Sequence, residues 1–177
     1  MLIRTASVIV GVFAFAALAS NAGENHRKAT KTDSPGFERF KELAGEWVGV
    51  SDKPEHGAGA LGAVFKVTSA GSAVEETMMP STPYEMINMI HPDGDDIVLT
   101  HYCAEGNQPE MKASSKIEGK DVAFQFVRGG NMKSIKDSHM HSVTYTFVDK
   151  DTLRTKWVNW ENGKPAGTVV FEYKRKK

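Results

Sequence analysis

From Gly45 to the end of the chain, apolar residues return at every second position in one short run after another. That alternation constrains the fold more than any other feature of the sequence. Such β-rich runs fall near 46–51, 61–68, 73–79, 85–91, 96–103, 111–118, 121–128, 139–148, 152–160 and 167–175. Turn-forming clusters separate them, among them Ser69–Ser72, Pro92–Asp96, Glu118–Lys120, Arg128–Asn131, Asp149–Asp151 and Asn162-Gly163. Short strands joined by tight hairpins predict an up-and-down antiparallel order. An open sheet of about ten strands would leave two unpaired edges, and closing it on itself removes them. The predicted fold is all-β: one antiparallel barrel of about ten strands, with no sequence repeat and no alternating strand–helix series.

A short helix precedes the barrel. Ser34-Pro35 is an N-cap followed by proline at the first helical position, Phe37, Phe40, Leu43 and Ala44 recur at helical spacing, and Gly45 ends the run. Further upstream, Arg4 is the only charge before Glu24, and Ala6–Ala19 is an apolar run interrupted only by Ser7. This basic start, secretory-length apolar stretch and small residues at Ala17, Ala19, Ser20 and Ala22 predict a signal peptide over 1–22, cleaved after Ala19 or Ala22. Residues 23–33 read as a flexible leader and 34–177 as the barrel domain. The expected location is therefore periplasmic or extracellular, with no stable membrane span after signal removal. Cys103 is the single cysteine, so no internal disulfide can form and the core alone must hold the fold.

Charge excludes one class of partner. The 22 Lys+Arg residues balance 22 Asp+Glu, leaving no overall attraction to nucleic acid. The basic run Lys174–Lys177 lacks the interleaved aromatics of a single-strand binding surface and reads as a solvated tail. Gly57-Ala58-Gly59-Ala60-Leu61-Gly62 spells G-x-G-x-x-G, but the next residues alternate like a strand. A dinucleotide fingerprint requires a helix there, so the segment reads as a loop at the barrel mouth.

Gly45-Glu46-Trp47, opening the first strand after the helix, resembles the G-x-W signature of lipocalins and related barrels. The resemblance implies that Trp47 plugs the closed end beneath a basic side chain from near the chain end, Arg175 or Lys174. The continuation to Val48-Gly49 is similar to the first strand of nitrobindin-type haem barrels, which implies haem as a cofactor. Met89–Gly94, Leu99–Pro109 and His139-Met140-His141 look like a group of uncharacterised bacterial lipocalin-like barrels. That match extends from about Phe37 to Phe171; it implies the fold and no established chemistry.

Strand parity sorts the chemically interesting side chains. On 139–148 the odd positions are bulkier and more apolar, which predicts His139 and His141 pointing inward. On 97–103, Ile97, Leu99, His101 and Cys103 share a face, and on 73–79 Val74, Glu76 and Met78 do. The prediction is convergence of His101, Cys103, His139 and His141 on one cavity, with Glu76 or His91 as further members. Imidazole and thiolate suit zinc or copper, and any one of the histidines suits haem iron. Asn107 and Gln108 add amides at the cavity rim. Met78, Met86, Met89, Met111 and Met140 are either core filler or thioether donors suited to monovalent copper. The expected function is an exported barrel that binds a small ligand in a His/Cys-lined cavity. The alternatives are a metal- or His-dependent enzyme on the same barrel, and a solid barrel acting as a structural or interaction module. Nothing in the sequence fixes an oligomeric state.

Overall fold

The computed structural model describes residues 34–52, 61–116 and 118–177. The signal peptide and leader expected over 1–33 lie outside them, as do Gly57–Ala60 of the glycine-rich segment. Leu61 and Gly62 already belong to a strand.

One helix, α1 (Pro35–Lys41), is followed by ten strands: β1 (Gly45–Ser51), β2 (Leu61–Thr68), β3 (Ala73–Met78), β4 (Met86–Asp93), β5 (Asp96–Tyr102), β6 (Gln108–Ser114), β7 (Asp121–Gly130), β8 (His139–Asp149), β9 (Thr152–Glu161) and β10 (Lys164–Arg175). Each strand pairs antiparallel with its sequence neighbours, and β1 pairs with both β2 and β10, closing the barrel. The alternation has thus become an inside and an outside. Phe65, Val74, Ile90, Leu99, Met111, Phe124, Tyr145 and Trp157 are buried in the interior. At Gly49, β1 and β10 approach closely: a Cβ there would stand 2.2 Å from the carbonyl oxygen of Glu172. Only glycine admits that approach.

Strand β6 departs from the predicted 111–118. The turn before it is closed by Cys103 N–H donating to the Asn107 carbonyl at 3.1 Å and Gly106 N–H to the Cys103 carbonyl at 2.9 Å. The ladder therefore resumes at Gln108, one residue before Pro109. At the other end Ser115 leaves the ladder and is buried, and its carbonyl accepts the Gly36 N–H at 3.0 Å.

Helix α1 covers one end of the barrel. Phe40 is fully buried, with ring centroids 5.1 to 5.8 Å from Tyr145, Phe147 and Phe124 in edge-on geometry. At the same end the Trp47 indole donates to the Leu43 carbonyl at 2.8 Å. The Arg175 guanidinium lies over that indole, 4.3 Å from its centroid, and donates to the carbonyls of Ala44 and Glu42. Cation–π attraction and two charge-assisted hydrogen bonds seal this end. Lys174 instead bonds Thr152 on the outer surface. Among the described residues no helix is long and apolar enough to cross a membrane.

Candidate functional site

The barrel interior holds a chain of polar side chains contributed by four strands. Tyr145 of β8 donates its hydroxyl to Glu76 Oε2 of β3 at 2.5 Å. Asn88 of β4 donates its amide to the same oxygen at 2.7 Å and to Met78 Sδ at 3.3 Å. Its Oδ1 stands 2.7 Å from His101 Nδ1 of β5. Glu76 and Asn88 face each other directly across β3–β4, and Asn88 and His101 across β4–β5, so the pairing register builds this row.

The bonding pattern assigns the protons. Since the Asn88 amide nitrogen donates to Glu76, its Oδ1 must accept from His101, which places the imidazole proton on Nδ1. His101 Nε2 then carries a lone pair, is buried and has no partner among the described residues. Glu76 Oε1 is likewise buried and unpartnered.

Burial sets the charge states. Desolvation raises the Glu76 carboxyl from 4.5 to about 7, although the bonds from Tyr145 and Asn88 favour its charged form. Desolvation pushes the His101 imidazole down from 6.5 to about 4. The Tyr145 hydroxyl is held well above its ordinary value by burial first and the neighbouring Glu76 second. The row is therefore neutral in mildly acidic solution.

Above the row, at the barrel end opposite α1, a pocket of about 340 Å³ lies between the Met79–Glu85 and Cys103–Asn107 turns. That volume is at the lower end of the range of small-molecule sites. His101 and Trp157, whose rings stand 4.9 Å apart, share its wall with Phe171. Met78, Met86 and Met140 contribute thioethers. The pocket is lined mostly by apolar groups and by no Lys, Arg, Asp or Glu among the described residues.

The other predicted residues scatter. His91 is on the outer surface, because the alternation that buries Asn88 and Ile90 turns it to solvent; its Nδ1 is 3.1 Å from the Pro92 carbonyl. Cys103 lies past the end of β5, half-buried, and burial pushes its thiol up, away from the thiolate form. Asn107 donates to the Ser138 carbonyl at 2.7 Å and Gln108 to the Gly106 carbonyl at 3.1 Å, so both brace turns.

The largest correction concerns His139 and His141. The β8–β9 register slips between Met140 and Ser142, leaving His141 as an extra residue. A bulge of this kind breaks inside–outside alternation. Met140 consequently lines the pocket with His101. His141 instead stacks on Trp160, with centroids 3.7 Å apart, and on Phe126 at 5.1 Å. His139 donates Nδ1–H to the Asp137 carbonyl at 2.7 Å, and its Nε2 accepts from His141 Nδ1 at 3.0 Å. Burial, and secondarily His139, lowers the pKa of His141. Among the described residues no three His, Cys, Asp or Glu side chains meet closely enough to hold a metal ion, so the predicted His101–Cys103–His139–His141 set is not assembled.

Three functional groups escaped the sequence reading: Asn88, Trp157 and the Tyr145 hydroxyl. Asn88 had a usable signal, because it falls on the inward parity of β4 between Met86 and Ile90. A lone amide on an apolar face requires a buried partner.

No family model matches this chain, and no curated protein matches it. Among solved structures it is similar to a protein of unknown function from the DUF3598 family of Nostoc punctiforme. The two share 10% identity and a TM-score of 0.47 over 77% of this chain and 49% of the other, so the chain spans about half that protein's length.

Proposed function

We propose that this chain is an exported, lipocalin-like binding barrel that takes a small ligand into the methionine-lined pocket, where the ligand meets His101 Nε2. The supporting observation is the polar row beneath the pocket. Glu76 and Asn88 fix the imidazole's tautomer and orientation, and its second nitrogen is left without a partner in an otherwise apolar wall. Outer partners orient a recognition group in this way at many binding sites.

Binding fits the site better than acid–base catalysis by His101. A general base works best with a pKa near the operating pH, whereas His101 is held at about 4 and stays neutral; Glu76, at about 7, does not line the pocket. The Cys103 thiol is pushed the wrong way for a nucleophile. The residues do not fit a haem. One imidazole nitrogen suits an axial position, but no Lys or Arg among the described residues lines the pocket to receive the propionates.

A neutral fluorescent probe, N-phenyl-1-naphthylamine, tests the reading. It should bind saturably at one site per chain, shift the methyl resonances of Met86 and Met140 and leave that of Met132 unmoved. Filling the pocket with Ala104→Trp should abolish binding. Failure of the probe to bind, or binding indifferent to Ala104→Trp, would favour the solid barrel.

A further inference from the structure

Four of the chain's eight methionines, Met78, Met79, Met86 and Met140, line this one pocket. Methionine often fills irregular cores, but three features here go beyond filling. Met78 and Met86 are direct cross-strand partners on β3 and β4, so their thioethers enter the barrel side by side. Met140 lines the pocket from β8, placed there by the His141 bulge. The Asn88 amide grips two potential donors at once, touching Met78 Sδ at 3.3 Å and His101 Nδ1 at 2.7 Å. His101 Nε2, fully buried and unpartnered, completes a set of one imidazole and three thioethers.

We propose that the pocket holds one monovalent copper ion, ligated by His101 Nε2 and by the thioethers of Met78, Met86 and Met140. The inference rests on the binding reading above and names the class of ligand. Neutral, polarisable donors select a soft monovalent ion over zinc, calcium or magnesium, which favour imidazole–thiolate sets or oxygen ligands. An anion would find no Lys or Arg in this wall among the described residues. Among the described residues a cation meets no positive side chain in this wall, which also includes Trp157, Phe171 and Tyr84. Methionine's three rotatable bonds let the sulfurs close on an ion smaller than the pocket. His139, His141 and Cys103 are not among the ligands.

The test titrates the intact chain with Cu(I), held reduced by ascorbate, against the chromophoric chelator bicinchoninate. The expected result is one Cu(I) per chain, with sulfur and nitrogen neighbours in its X-ray absorption spectrum. The paired variant Met86→Leu/Met140→Leu conserves volume and should keep the near-ultraviolet dichroism of the native protein. It should bind Cu(I) about tenfold or more weakly, as loss of groups that hold or support a metal generally causes. Cys103→Ser and His91→Ala, the latter on the outer surface, should bind as the unmodified chain does. Full affinity in the paired leucine variant, or loss of affinity in Cys103→Ser or His91→Ala, overturns the proposal. N-phenyl-1-naphthylamine separates the two readings. If the probe binds and Cu(I) does not, copper is refuted and the pocket remains a binding site. If neither binds, both fall.

Discussion

Glu76 and His101 make opposite demands on pH, and Glu76→Gln separates them. In the native barrel the Glu76 carboxyl titrates at about 7, against 4.5 as the ordinary value. Between those pH values the unfolded chain has lost this proton and the native chain has kept it. Stability therefore falls as pH rises through the window. At about 1.4 kcal/mol per pH unit the loss is about 3 kcal/mol, complete slightly above pH 7. His101 runs the other way. Its native pKa of about 4, against 6.5, means that the unfolded chain binds the extra proton between those values, so stability rises with pH there, also by about 3 kcal/mol. The two slopes oppose each other from about 4.5 to 6.5, and these two groups together leave the unmodified protein's profile nearly flat across that span. The substituted glutamine would mimic the neutral carboxyl, accepting from Tyr145 and Asn88, and would remove only the falling slope. Urea unfolding from about pH 4 to 8 should show Glu76→Gln gaining about 3 kcal/mol relative to the unmodified chain between about pH 4.5 and 7.5. The rising His101 slope should then be uncovered in the variant. Parallel profiles, or a difference that widens in the opposite direction, would show that the native carboxyl is ionised and refute the neutral row.

Three further outcomes follow from the geometry. Phe40→Ala, which empties the aromatic contact with Phe124, Tyr145 and Phe147, should cost about 3–5 kcal/mol in urea unfolding and leave probe binding at the opposite end intact. Arg175→Met loses the stack on Trp47 and two bonds to helix-end carbonyls; about 2 kcal/mol should disappear, with a shift in tryptophan fluorescence as the indole is uncovered. Cys103→Ser should leave binding unchanged, and the unmodified thiol should react slowly with iodoacetamide at neutral pH because burial disfavours its thiolate.

The barrel was legible because its signal repeats: parity buries Val74, Glu76 and Met78 on β3 and Ile97, Leu99 and His101 on β5 just as alternation predicts. His101 could accordingly be placed from sequence. His139 and His141 could not. Their strand alternates cleanly to the eye, yet the ladder skips His141 because its partner strand β9 offers Asn159 and Val158 as consecutive neighbours to Met140 and Ser142. A bulge is a property of two strands together, and reading one strand cannot reveal it. His91 has a simpler explanation: it is one residue out of step with the inward Asn88 and Ile90 on β4, so alternation turns it outward. The Asn88 bridge was hidden because register, which sets which inward residues meet, depends on turns distant in sequence.

A barrel that served only as a solid scaffold would have little use for the row from Tyr145 to His101. Buried polar groups stabilise a core at best modestly, and replacing a whole satisfied set with apolar residues of similar size is often neutral or favourable. Removing one member is different, because its partner is left buried and unpaired. Asn88→Leu alone should be strongly destabilising, since it orphans His101 Nδ1–H and removes one donor to Glu76. The combined variant Glu76→Leu, Asn88→Leu, His101→Leu, Tyr145→Phe leaves no such orphan and should fold at least as stably as the native chain, while losing pocket binding. Retained stability paired with lost binding would identify the row as a recognition device built into the core. A combined variant that unfolds would instead make the row part of what holds the ten strands in register.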